Sequence, residues 1–361
     1  MLTTCIGSKE RVRAFFQRQP ADRVPLNYLC NPGIDRRLKA HFGLAMNDDE
    51  GLLRALEVDF RRVGPRYCGA LLHAPVTGVD VDPVWGFRSR WVDNESGGYQ
   101  EICEWPLEQA TGAELDAWPI PSPDDFDYSE VAARCKRWSE LSVCTGNPGV
   151  CDIINFNGRL RTMEQVLVDL ITEDEGFGNF VDRYIDFQVE IIRRTLAAAN
   201  GGIDFLWIGE DLGTQAGPMI SLLLFRSTIR PRMQRFVDVA NAFGIPVMIH
   251  SCGSSSWAFD DFIEMGIQAV DTLQPEAEAM APAHLKERFG GRLSFHGMIS
   301  TAGPLAYGGP EQVAANVRET LALMMPGGGY ALAPTHQIQD NSPTENVLAM
   351  YRTAQEYGRY L

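Results

Sequence analysis

The sequence predicts an α/β protein built as a closed eight-stranded (β/α)8 TIM barrel, and three observations carry that expectation. From about residue 200 onward one plan repeats: a short run rich in β-formers, a turn, then an amphipathic helix, the pattern of a parallel sheet with helices outside it. An open doubly wound sheet would share that plan, but no glycine-rich dinucleotide fingerprint follows any run. The length, 361 residues, suits one large barrel.

Each element has its own warrant. SKERVRAFFQRQ reads as a helix with Ser8 as its cap, ended by the Pro20 to Pro25 segment. VDFRRVGP (58–65) supplies an early strand. Residues 76–106 alternate apolar and polar side chains around Asn94 to Gly98, the pattern of an antiparallel hairpin laid beside the barrel. The acidic, proline-punctuated WPIPSPDDFDYSE (118–130) reads as a surface connector. LSVCTGN (141–147) is a further strand, with CDIINFNG continuing it into a loop. The runs DFLWIGED (204–211), PVMIHSC (246–252), QAVDTLQ (268–274), RLSFHGM (292–298) and GYALAPTH (329–336) complete the series. Between them RPRMQRFVDVANAFG, APAHLKERFG and PEQVAANVRETLALMM read as helices, each ending near a glycine able to supply a left-handed cap. One domain over residues 1–361, with 76–106 as an insertion, is the expected organisation.

Composition narrows the partners. A net charge of −15 opposes binding to nucleic acid or to an anionic membrane surface. Eight cysteines without a CxxC pair or framework spacing point to reduced thiols and a cytoplasmic location. The N-terminal stretch lacks the long apolar core of a signal peptide, and no 18-residue apolar run occurs.

In a parallel barrel the reacting groups sit at the carboxyl ends of strands, where the loops converge over one mouth. The residues at those ends are Glu210 and Asp211, His250 and Cys252, Asp271 and Gln274, His296, and Thr335 and His336. Residues i and i+2 of a strand share a face, so His250 and Cys252 can point together into the mouth, and imidazole nitrogen and thiolate sulfur both suit zinc. The alternative is a buried histidine beside a buried thiol. His336 is the candidate third ligand, which would leave the fourth position open as in catalytic zinc sites; a helix-capping or core histidine is the competing reading. Of the adjacent acids, at most one faces the mouth, as a general acid or an orienting group; a solvated turn is the alternative. His296 is either a second acid or a histidine bonded to backbone, and Arg61 and Arg62 could clamp an anionic substrate.

The stretches SKERVRAFF with DRVPLN, VDFRRVGPRY, DPVWGFRSRW with GGYQEICEWPL, GEDLGTQAGPMIS, IHSCGS and GGGYALAPTHQIQDNSPTENVLAMY together resemble the uroporphyrinogen decarboxylase superfamily, and within it the cobalamin-dependent zinc methyltransferases. The resemblance spans essentially the whole chain and implies a (β/α)8 barrel. It implies zinc bound by an HxC pair and by a cysteine after a late AP strand. The pair falls on His250 and Cys252, whereas the cysteine position falls on His336, a change from sulfur to nitrogen that zinc accepts. The arginine-rich N-terminal clamp of true uroporphyrinogen decarboxylases is missing from RVPLNYLCNPGIDRRLKA. The resulting expectation is a methyltransferase moving a methyl group between a small methoxyl, amine or thiol substrate and the cobalt of a separate corrinoid protein. Asp211, Glu210 and His296 would be its catalytic groups, and Gln274, Arg61 and Asn155 its substrate contacts. No DxHxxG cobalamin segment is visible, so the cobalamin would come with the partner; a homodimer is compatible with the sequence. The rival readings are a metal-free lyase of the decarboxylase type and a barrel that binds a ligand without catalysis.

Overall fold

The structure, a computed structural model, describes residues 6–94 and 97–360. Seven parallel strands follow one another in chain order around a curved sheet: β1 (Phe60–Arg62), β2 (Ser142–Gly146), β3 (Phe205–Gly209), β4 (Val247–Ser251), β5 (Ala269–Thr272), β6 (Ser294–Ile299) and β7 (Tyr330–Pro334). Each lies inside an apolar run that the sequence marks as a strand, because a strand covered on both faces must be apolar nearly throughout.

The eighth position belongs to Val24–Tyr28, which the sequence pattern marks only as the end of the first helix. Leu26 bridges Leu332 in parallel; Leu332 N–H donates to the Pro25 carbonyl at 2.9 Å and Asn27 N–H to the Leu332 carbonyl at 3.0 Å. On the other side Asp59 N–H donates to the Leu26 carbonyl at 2.9 Å, and Leu26 N–H donates to Asp59 Oδ2 at 2.8 Å. These bonds join β7 to the residue preceding β1 and close the ring. A proline lacks a ladder donor and argues against a central strand, which is why this one is hidden in the sequence.

Asp59 is fully buried and ties the closure to the amino end of the barrel. Its carboxylate accepts from Ser8 Oγ at 2.6 Å, Arg11 Nη1 at 2.5 Å and Arg23 Nη1 at 2.7 Å. Ser8 is therefore not the helix cap: α1 (Ser8–Phe16) is capped by Gly7 without a side-chain bond, and the Ser8 hydroxyl is drawn to the buried charge instead.

Strand side chains alternate inward and outward. Phe60, Cys144, Phe205, Trp207, Met248, Ala269 and Ala331 fill the barrel interior, and Val12, Phe15 and Phe16 of α1 close its amino end. Their outward neighbours Val143, Leu206, Ile208, Val247, Ile249, Val270 and Leu332 pack in the larger core with the helices. Burial of Phe15 and of Phe16 contributes roughly 1.5–3 kcal/mol apiece, so α1 is a fixed floor and the carboxyl end is the open one.

The hairpin forms as expected: Arg88–Asn94 pairs antiparallel with Gly97–Glu104, and Asp80–Val81 adds a short third strand; its tip, 95–96, lies outside the described residues. Two local expectations fail. CDIINFNG opens a helix, α2 (Ile154–Arg161), rather than extending β2 into a loop, because Glu210 binds its first amides. Helix Arg230–Ala242 does lead into a left-handed Gly244 (φ 69°), but Gly290, after helix Pro282–Phe289, keeps a right-handed φ of −61°. The connector also carries structure, Phe126–Asp127 pairing with Arg66–Tyr67. Among the described residues no helix is long and apolar enough to cross a membrane, and seven cysteines are free thiols; Cys5 lies outside them.

Candidate metal centre

Parity and register assemble the site. Met248 and His250 face inward on β4, and Cys252 continues the same parity just beyond its carboxyl end. The register pairs His250 with Asp271 on β5, and Asp271 with His296 on β6. Three polar side chains thus stand abreast inside the barrel, and they bond in a row. His250 Nδ1 lies 2.7 Å from Asp271 Oδ2, and His296 Nδ1 lies 2.5 Å from Asp271 Oδ1. His296 Nε2 lies 3.0 Å from Asn27 Nδ2 on the closing strand.

The other nitrogen of His250 faces the mouth. Nε2 is 3.3 Å from Cys252 Sγ and 3.7 Å from Asp211 Oδ1, and the ligand atoms of Asp211, His250 and Cys252 all lie within 4.8 Å of one another. Asp211 is held in place by two donors, the Cys252 N–H to Oδ1 and Asn155 Nδ2 to Oδ2, each at 2.8 Å. Zinc bonds of about 2.0–2.3 Å at a tetrahedral angle would place ligand atoms about 3.3–3.8 Å apart. The donor set and its spacing fit that ion.

Glu210 turns away from this cluster, as neighbouring strand-end residues must. It is buried, and its carboxyl accepts from the Ile153 and Ile154 amides at 2.8 and 3.2 Å, at the start of α2. Burial, then the nearby Asp152 charge, pushes its pKa well above the ordinary value, against the pull of those two amides. Asp152 is likewise pushed up to about 7, by burial first and Asp211 second, while the Asn155 amide bonds it. Three acids therefore crowd one side of the mouth.

Burial works against a charge on His250, but the bonds to Asp271 and Cys252 outweigh it and raise the imidazole pKa well above its usual value. Burial raises the Cys252 thiol, opposed by His250. Asp271 is lowered: burial opposes this, and its two histidine neighbours prevail. An ionised carboxylate only accepts, so both Nδ1 atoms donate to it.

Backbone strain surrounds this row. Thr272 has φ 87°, unusual for a β-branched residue, and puts its hydroxyl 2.6 Å from His250 Nδ1. Gly297 (φ 115°) accommodates it, since a Cβ there would stand 2.4 Å from the Thr272 carbonyl oxygen.

The remaining candidates are placed as follows. His336 is exposed at the rim, outside the three-residue cluster, with its pKa lowered by desolvation and then by the His250 charge. Gln274 Oε1 accepts from the Gly253 amide at 2.8 Å, fixing the loop beyond Cys252. Arg61 is buried and bound to both Glu50 oxygens, at 2.8 and 3.1 Å. His296 is fully buried, beneath the mouth rather than on it. Sequence reasoning misses Asn27, Asp152 and the bridging part of Asp271. A signal for Asp271 is present, since an acid inside the apolar run AVDT has to find a buried partner. A cavity of 810 Å³, in the size range of ligand sites, opens on the early-strand side and is lined by Asn27, Tyr28, Phe60, Arg61, Asn147 and Trp207.

Comparison with known proteins agrees with this architecture. The sequence profile of the uroporphyrinogen decarboxylase (URO-D) family matches residues 152–357, more than half of the chain. No curated protein sequence matches it. Among solved structures, a methyltransferase from Methanosarcina mazei superposes with a TM-score of 0.65 at 18% identity, covering 98% of this chain and 99% of that one. Xylanase 10B from Thermotoga maritima gives a TM-score of 0.39 at 12% identity over 70% of this chain and 84% of its own. The matched segment runs from the acid-rich side of the mouth through all five late strands and the HxC pair, and on that ground the chain belongs to the uroporphyrinogen decarboxylase family.

Proposed function

We propose that this chain is a methyltransferase that passes a methyl group between a small methylated substrate and the cobalt of a separate corrinoid protein, with zinc held in its mouth. The observation that carries the reading is the convergence of His250 Nε2, Cys252 Sγ and an Asp211 carboxylate oxygen at the open end of the barrel. Zinc there would supply Lewis acidity, polarising the donor heteroatom or lowering the pKa of a thiol acceptor. The ligand set differs from the sequence expectation: Asp211 takes the third place, and His336, on the rim, is left free to meet the substrate or the partner. The whole-length likeness to a methyltransferase from Methanosarcina mazei supports the same reading.

The remaining residues have definable roles. Asn155 and the Cys252 amide aim the Asp211 carboxylate, and Gln274 fixes the loop that carries Cys252. Asp152, with a pKa near 7, is the mouth acid able to hold or hand over a proton near neutrality. When a methyl group leaves an ether oxygen or an amine nitrogen as a cation equivalent, the heteroatom keeps the bonding pair and needs that proton. The cavity beside Asn27 and Trp207 is the candidate substrate chamber. Against a decarboxylase acting on an anionic tetrapyrrole, Arg61 is bound to Glu50 and the mouth gathers acids, although Arg62 lines the cavity exposed.

The test is zinc analysis of the purified protein, followed by mixing with a corrinoid protein in the cob(I) state and methoxyl, amine or thioether donors, reading the cobalt absorbance. Methylcobalamin formation that is lost in Cys252→Ala supports the proposal. Zinc-loaded protein that methylates cobalt with none of the three donor classes sinks it.

A further inference from the structure

We infer that Asn27, His296 and Asp271 form a one-directional chain of hydrogen bonds that fixes which nitrogen of His250 is offered to a metal, making Asp271 its positioning residue. The inference rests on the metal reading above. Its polarity follows from a single backbone donor. Tyr28 N–H can only donate, and it donates to Asn27 Oδ1 at 2.8 Å. That settles the orientation of the Asn27 amide, whose Nδ2 then donates to His296 Nε2 at 3.0 Å. A ring nitrogen that accepts carries no proton, so the His296 proton is on Nδ1, directed at Asp271 Oδ1 2.5 Å away. The second oxygen, Oδ2, is left to receive the Nδ1 proton of His250 at 2.7 Å, with the Thr272 hydroxyl beside it. His250 Nε2 is thereby the nitrogen turned toward Cys252 and Asp211.

His250 is the member of this chain of bonds that meets Cys252 and Asp211, while Asn27 at the other end borders the cavity. His296 is fully enclosed and Asp271 is 2% exposed, and a polar row buried inside a barrel costs stability unless every atom in it is paired. Here every ring nitrogen and both carboxylate oxygens are paired. Carboxylates behind metal-bound histidines fix tautomer and orientation and raise ligand basicity, and their loss lowers metal affinity about 10–100-fold. The Val24–Tyr28 segment thus serves twice, since the strand that closes the barrel also sets the donor atom on the opposite side of the interior.

Two measurements test this. Zinc affinity is measured by competition with a chromophoric chelator for the wild type, Asp271→Asn, His250→Ala and the double variant. The expected result is an affinity lower by about 10–100-fold in Asp271→Asn, and no further loss when that change is added to His250→Ala. A purely structural role would instead lower affinity in both backgrounds. In zinc-loaded wild-type protein, long-range ¹H–¹⁵N spectra should show His296 neutral, with its proton on Nδ1. Zinc binding by Asp271→Asn as tight as wild type, or a proton on His296 Nε2, overturns this inference alone. A wild type that binds no zinc overturns it together with the proposed function.

Discussion

The protonation of the two mouth ligands makes zinc affinity a steep function of pH. In the metal-free protein His250 keeps a proton on Nε2, because the bond to Asp271 raises its pKa well above the ordinary value against the effect of burial. Cys252 keeps its thiol proton, because burial raises it further from neutrality. A metal must displace both, so binding near pH 7 releases two protons, and affinity rises about 100-fold per pH unit while both groups stay protonated. Replacing the thiol, as in Cys252→Ala, leaves one proton to displace and about a tenfold rise per unit. The sign follows directly: both pKa values are raised, so the loss of affinity comes on the acid side. Chelator competition at pH 6.0, 6.5 and 7.0 gives the slope, and calorimetry in two buffers of different ionisation enthalpy counts the protons independently. A wild-type slope of one proton would contradict this account, since it would mean that the metal-free pair is already an imidazolium beside a thiolate.

Further outcomes follow from other parts of the structure. Asp211→Ala should cost zinc affinity while His336→Ala leaves it unchanged, read in the same competition; the reverse order would restore the ligand set expected from the sequence. Asp152, at 3.8 ordinarily and about 7 here, favours the folded state fully only below its unfolded pKa, and that support fades as pH rises through 7, by at most roughly 4 kcal/mol. Asp152→Asn should therefore gain on the wild type between pH 4 and pH 8 in urea unfolding of the metal-free protein, and an unchanged difference would count against a raised pKa at this buried acid. Asp59→Ala removes the partner of Arg11 and Arg23 and the bond to Leu26 N–H, and should destabilise the fold by about 3–5 kcal/mol. A loss below about 1 kcal/mol in urea unfolding would show that the closure does not depend on it.

The parallel barrel, and the end of it where chemistry happens, are already written in the order of residues. Strands buried on both faces must be apolar runs, and the runs ending in His250, Asp271 and His296 are visible without any structure. That His250 and Cys252 share a face is equally legible, since it is a property of one strand. What stays hidden lies between strands. Asp211 rather than His336 joins the pair because the loops beyond β3 and β4 are cross-bonded, the Cys252 amide to Asp211, and sequence spacing carries no record of that bond. Asn27 meets His296 across 269 positions only because Val24–Tyr28 closes the ring, a strand disguised by Pro25 and paired partly through the Asp59 side chain. Local pattern states which side chains turn inward, whereas which of them touch is decided by register and closure, and those exist only once all eight strands are in place.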